Sequence, residues 1–231
     1  MRIVEDIAKN IAHVRARISQ AAAQRGRDPD EITLIAVTKD VPGEKINAAI
    51  AAGITDLGEN RVQEALKKQR EVVAPAKWHL IGHLQRNKVR HCLTNFALIH
   101  SLDRLSLAQE IQRRAAQRGV VVPCLVQVNV AGEKSKFGLA PGELEPFLRQ
   151  VAAMQNIKVC GLMTIAPYYD DPEAARPVFR RLRELFEQGD YPAGVSMQYL
   201  SMGMSNDYTV AVEEGANMVR IGTALFGKRQ N

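Results

Sequence analysis

The sequence lacks the marks of several protein classes. It has only three cysteines in 231 residues. Cys92, Cys124 and Cys160 lie far apart and form no C-x-x-C pair. That excludes a disulfide framework and gives no zinc-ligand spacing, so they read as reduced core residues of a cytoplasmic protein. No apolar run reaches the roughly 18 residues of a membrane-spanning helix. Met1-Arg-Ile-Val-Glu-Asp6 has neither the apolar segment nor the cleavage site of a signal peptide. Aromatic residues make up 5% of the chain. The densest basic run, Gln85-Arg-Asn-Lys-Val-Arg-His91, has none interleaved. The net charge of +6 therefore reads as solvated helix faces, not a nucleic-acid surface. It does suit a small phosphate-bearing ligand. No G-x-G-x-x-G follows the first strand, which argues against a dinucleotide-binding open sheet.

What is present is alternation. Hydrophobic residues are 46% and charged residues 24%, ordinary for a chain with a large core. Val4, Ile7, Ile11, Val14 and Ile18 recur at spacings of three and four, predicting one helix to about residue 26, packed on the rest of the domain. Strands are then predicted at about 33–38, 55–58, 77–82, 96–100, 120–130, 157–163, 197–201 and 217–221, with helices between them. Gly53 and Gly119 stop helices, and Pro172 and Pro177 suit the approach and first turn of the sixth intervening helix. Eight strands alternating with helices, and no long linker, predict an α/β chain. It is read as a single (β/α)8 TIM barrel with an extra N-terminal helix, one domain over residues 1–231. A doubly wound open sheet is the alternative.

Candidate chemistry lies where strands end, because active sites of such barrels sit at the C-terminal face. Lys39 closes the first strand. A lysine there can join an aldehyde if burial or neighbouring cations lower its pKa; otherwise it is an exposed strand-end lysine. Ser201, Gly203, Met204 and Ser205 follow the seventh strand, and Gly222 and Thr223 follow the eighth. Two such turns form the usual phosphate site of a TIM barrel, although Ser205 can also be read as a plain N-cap. Arg220 interrupts the apolar run Met218-Val-Arg-Ile221, so it must be paired once buried, with a carboxylate or with a ring nitrogen of a ligand. Asn60 and Gln63 have capping-box spacing. His79 and His83 are four apart but do not share a helix face, so no metal site is read from them.

Taken in order, Ala36-Val-Thr-Lys39, Gly58-Glu-Asn60, Trp78-His-Leu-Ile-Gly82, Ser135-Lys136 with Gly138, Gly161-Leu-Met163, Ser201-Met-Gly-Met-Ser205 and Val219-Arg-Ile-Gly-Thr223 carry a resemblance. The chain resembles the YggS/PROSC family of pyridoxal phosphate homeostasis proteins over nearly its whole length. The resemblance implies a barrel similar to the N-terminal domain of alanine racemase. It implies that Lys39 holds pyridoxal 5′-phosphate (PLP) as an internal aldimine. Ser205, Gly222 and Thr223, with the Met204 backbone, would hold the phosphate, Arg220 would face the pyridine nitrogen, and Asn60 would lie beside the ring. A guanidinium does not surrender its proton, so the ring nitrogen would stay unprotonated and the ring would be a weak electron sink.

That suits holding the cofactor, or a restricted chemistry such as racemisation. The first expectation is a PLP-binding protein of intracellular vitamin B6 homeostasis, without robust catalysis, with PLP-dependent apo-enzymes as recipients of its PLP. The sequence ends shortly after Thr223, leaving no stretch for the racemases' β-domain with its catalytic tyrosine. A low-activity amino-acid racemase, using Tyr168, Tyr169 or Tyr208 as the second acid–base group, is the alternative. A Schiff-base aldolase without PLP is a third reading. A monomer is expected, since no strand edge or large apolar stripe is left over.

Overall fold

Short aliphatic runs bounded by glycines form the strands. The computed structural model describes residues 2–133, 135–189 and 191–227. It contains β1 (Thr33–Val37), β2 (Asp56–Glu59), β3 (Lys77–Leu80), β4 (Leu98–Leu102), β5 (Val122–Gln127), β6 (Ile157–Met163), β7 (Val195–Ser201) and β8 (Met218–Ile221). All are parallel, neighbours in the barrel are neighbours in the chain, and β8 pairs back onto β1 to close it. Between them run α2 (Gly43–Ala51), α3 (Val62–Glu71), α4 (Leu105–Arg118), α5 (Leu144–Ala152), α6 (Arg176–Glu187) and α7 (Tyr208–Glu213). After β3 there is only a 3-10 turn at Arg86–His91, and α8 (Thr223–Phe226) follows β8. The barrel and its helical ring are those predicted, and the open sheet is excluded. Met1 and residues 228–231, part of the predicted domain span, lie outside the described residues. Among the described residues no helix is long and apolar enough to cross a membrane.

Side chains alternate between two environments. Ile35, Leu98, Leu125, Cys160, Met163 and Met218 pack together in the lumen. The other strand faces join the helices in a larger apolar shell. Within it α6 buries Phe179, Leu182 and Leu185, and Pro177 sits in its first turn as predicted.

The extra helix α1 (Arg2–Ala23) lies against α2, α7 and α8. It buries Ile7, Ile11, Val14 and Ile18, each contributing about 1.5–3 kcal/mol. Val4, predicted to continue that stripe, is exposed. Asn10 Nδ2 donates to the Leu225 carbonyl (3.0 Å) and Arg15 to the Gly53 carbonyl (2.6 Å), tying α1 across the seam where β8 meets β1.

Most strand limits shift by one or two residues from those predicted, and β4 and β5 are the cases that matter to the interior. β5 is shorter than residues 120–130 because Val120 donates its N–H to Ala115 at the end of α4, and Val128 turns out to bridge Leu139. β4 begins and ends two residues later than predicted, keeping His100 and adding Ser101 and Leu102.

Candidate functional site

The turns after β7 and β8 are stitched together by one hydroxyl. Ser205 Oγ accepts the N–H groups of Gly222 and Ala224, each at 3.2 Å. Ser205 is therefore not the N-cap of α7, whose N-cap position is Asp207; it serves the start of α8 across the barrel rim. Gly203 lets the first turn pass close to α7. Its φ is +91°, and a Cβ there would stand 2.6 Å from Ala211 Cβ. The Met204 N–H donates to Asp207 Oδ1 (2.7 Å). The N–H of Met204 is thus already engaged within its own turn. Thr223 opens α8 and is exposed. An added Cβ on Gly222 would lie 3.4 Å from Val37 Cβ, so the end of β8 touches β1 two residues before Lys39.

The segment carrying Lys39 is clamped on both sides. Thr38 Oγ donates to Glu59 Oε1 (2.7 Å), and Lys68 Nζ donates to the Thr38 carbonyl (2.5 Å), Glu59 Oε1 (2.6 Å) and Glu64 Oε1 (2.6 Å). Asp40 has φ +59°, a left-handed conformation uncommon for a residue with a side chain. Its N–H donates to Glu64 Oε1 (2.9 Å), and the same carboxylate therefore holds both Lys68 and the turn. Burial pushes the Glu59 carboxyl upward, against the bonds from Lys68 and Thr38. Burial acts likewise on Glu64, but the bonds from Lys68 and the Asp40 N–H outweigh it and hold that carboxyl below its ordinary value.

Lys39 lines a cavity of about 450 Å3 together with Asn60, Arg61, His83, Lys88 and Phe137. Asn60 does not cap α3. The N-cap is Arg61, without a side-chain cap bond, so the spacing of Asn60 and Gln63 is not a capping box here. The Asn60 backbone instead passes so near Gly82 that a Cβ there would stand 2.4 Å from the Asn60 carbonyl oxygen. His83 stacks on Phe137, ring centroids 3.8 Å apart, which brings in the loop Ser135-Lys136-Phe-Gly138. A second cavity of about 460 Å3, between α5 and α6, is lined by Leu144, Leu148, Leu185 and Tyr191. It lies outside the barrel and holds none of the predicted site residues.

Arg220 points into the lumen beneath the cradle and is buried. It meets no carboxylate directly. Nη1 donates to Ser201 Oγ (2.6 Å) and Nη2 to the Thr164 carbonyl (2.8 Å), two of its five N–H groups. Burial lowers its pKa to about 10, against the pull of the Asp207 charge, so it stays cationic at neutral pH. Of the three tyrosines considered from sequence, Tyr208 is buried beneath α1 with Arg17 over its ring. Tyr168 is exposed.

Lys39, Asn60, Met204, Ser205, Arg220, Gly222 and Thr223 thus gather at the C-terminal rim and the lumen below it. Sequence reasoning missed the Lys68–Glu59–Glu64 cluster and the meeting of His79, considered only as a metal ligand, with Asp56 and His100, all three buried. For Asp56, Glu59, His79 and His100 the available signal was the one that exposed Arg220: a polar residue where a barrel strand should be apolar.

A closed parallel barrel with an N–H and hydroxyl cradle after its last two strands, an arginine below and a lysine in the turn after the adjoining strand defines a phosphate-ligand barrel. The family model for the alanine racemase N-terminal domain matches residues 5–230. The pyridoxal phosphate homeostasis protein of Aquifex aeolicus is 45% identical over 223 residues, covering 96% of this chain and 98% of that protein. The Pseudomonas aeruginosa protein of the same name is 45% identical over 225 residues, covering 96% of each. The structure of PipY from Synechococcus elongatus with PLP bound has a TM-score of 0.82 at 36% identity, covering 96% of this chain and 100% of that one. The chain belongs to this family of pyridoxal phosphate homeostasis proteins. Alanine racemase from Bartonella henselae shares the fold alone, with a TM-score of 0.71 at 16% identity; the match covers 99% of this chain and 61% of the racemase.

Proposed function

We propose that this protein binds PLP reversibly through Lys39 and serves vitamin B6 homeostasis. The observation that carries the reading is convergence: the strand leading to Lys39 adjoins the Gly222 turn, with Arg220 in the lumen below. The donor set fits a phosphomonoester. Two N–H groups are held by a neutral hydroxyl through bonds of 3.2 Å, and phosphate oxygens would meet the same donors at the start of a helix. PLP supplies an aldehyde and an electron-withdrawing ring. Lys39 would be the amine that takes the aldehyde. Ser205, Gly222 and Thr223, with the Met204 backbone beside them, would hold the phosphate. Arg220 would face the ring nitrogen and leave it unprotonated, and Asn60 would lie beside the ring.

A ring whose nitrogen stays unprotonated withdraws electrons weakly, which favours holding the cofactor over rapid turnover. Tyr208, buried under α1, is badly placed as the second acid–base group that racemisation requires. Delivery of PLP to apo-enzymes, by a cytoplasmic monomer, belongs to the same proposal. The test is the visible spectrum of purified protein after addition of PLP, then borohydride and peptide mapping. The expected result is a yellow band, fixed by reduction on Lys39 and absent in Lys39→Ala. Absence of a band in the unaltered protein overturns the reading.

A further inference from the structure

The lumen of a TIM barrel is ordinarily filled by layers of branched aliphatic side chains. Here a line of polar groups crosses it. Arg220 Nη1 donates to Ser201 Oγ (2.6 Å), Ser201 Oγ lies 3.0 Å from His100 Nδ1, His100 Nε2 lies 3.0 Å from His79 Nδ1, and His79 Nε2 lies 2.8 Å from Asp56 Oδ1. The contributing strands are β8, β7, β4, β3 and β2, so the line spans the barrel. All five side chains are buried. Asp56 begins β2, at the end of the barrel away from the cradle, and borders a cavity there with Arg15, Thr33 and Thr55.

We propose that Asp56, His79, His100 and Ser201 are a positioning relay that fixes Arg220 and carries the charge of Asp56 to the ring-nitrogen side of the PLP site. The ends dictate the direction. A guanidinium only donates and an ionised carboxylate only accepts. Ser201 accepts from Arg220 and spends its one hydroxyl proton on His100 Nδ1. His100 then carries its proton on Nε2 and donates to His79 Nδ1, and His79 donates from Nε2 to Asp56. Both imidazoles are neutral and share one tautomer. Four bonds aligned head to tail polarise one another, so the carboxylate is felt at the guanidinium although the two are not in contact. Thr55 Oγ donates to the other oxygen of Asp56 (2.7 Å) and holds it ionised. The remaining charged groups facing the line are Lys77 at Asp56 and Asp207 at Arg220.

The coupling to the cofactor rests on the PLP reading above; the relay itself does not. Nitrogen NMR of the unliganded protein reads the tautomers directly. His79 and His100 are each expected to carry the proton on Nε2, and His100 to stay unchanged between about pH 6 and 8. A proton on Nδ1 of either ring, or titration of His100 near the free value, overturns the relay. Asp56→Asn keeps an acceptor for His79 but removes the charge. With PLP bound, its visible band is expected to change with pH at a lower midpoint than in the unaltered protein, because a less compensated Arg220 opposes protonation nearby. Correct tautomers with an unmoved midpoint overturn the coupling and leave a structural chain. No visible band in the unaltered protein overturns the PLP reading and the coupling together, while the tautomers still decide the relay.

Discussion

The Lys68 cluster packs one cation against two carboxylates outside β1 and β2, with both contacts at 2.6 Å. The lumen chain instead separates a cation and a carboxylate by three neutral side chains. Each supports a different part of the site: the first clamps the residues flanking Lys39, the second braces Arg220. Their construction differs because the demands differ. A lysine loop at the rim needs its backbone held, which short ionic bonds do well. A guanidinium deep in the lumen needs orientation without a second full charge beside it, since burying charges costs more than their attraction returns unless the pairing is complete. Stability is therefore concentrated in the first assembly and electrostatic tuning in the second.

The largest expected effect breaks the first assembly. Lys68→Met leaves Glu59 buried beside Glu64 without their shared cation. The loss expected in urea unfolding is about 3–5 kcal/mol at neutral pH. Because burial already raises the Glu59 carboxyl, its unfolded form ionises first as pH rises. The deficit of the variant should therefore shrink as pH falls toward the ordinary carboxylate value. A deficit independent of pH would mean that Glu59 is not the orphaned charge.

Acid probes the second assembly. Burial, helped by the Arg220 charge, holds the His100 pKa well below its ordinary 6.5. Below that value the unfolded chain takes up a proton that the folded chain refuses, so stability falls as pH drops. The expected slope is about 1.4 kcal/mol per pH unit for one proton. Thermal unfolding between about pH 6.5 and 5 should show this component, and His100→Gln should lose it. An identical slope in the variant would assign the effect to other groups.

The smallest effect comes from a surface control. Arg149 and Glu145 pair on the exposed face of α5, with side chains 72% and 73% accessible. Glu145→Gln should leave the urea midpoint where it is, since solvent screens such a pair. A shift as large as that of Lys68→Met would erase the distinction between buried and exposed ion pairs on which the comparison depends.

Most of the barrel was legible in the chain. Alternating aliphatic runs and glycine stops place all eight strands, and small residues after the last two mark the rim cradle. Arg220 stood out because it breaks an apolar strand. The readings that failed were local ones. Asn60 with Gln63 has capping spacing, yet α3 starts at Val62 because the chain at Asn60 is pressed against Gly82. Ser205 stands before a helix, yet it bonds to a different one.

By itself the sequence determined the periodicity of the elements, the closing order of the barrel and the residues at its strand ends, because burial patterns and turn chemistry are properties of neighbours along the chain. Tertiary structure alone decided which polar groups meet. His100 and Ser201 are 101 positions apart, and His79 and Asp56 are on different strands. Their bonds exist because closing the barrel turns one face of every strand toward a shared lumen, where a buried polar group must find its partner across the barrel.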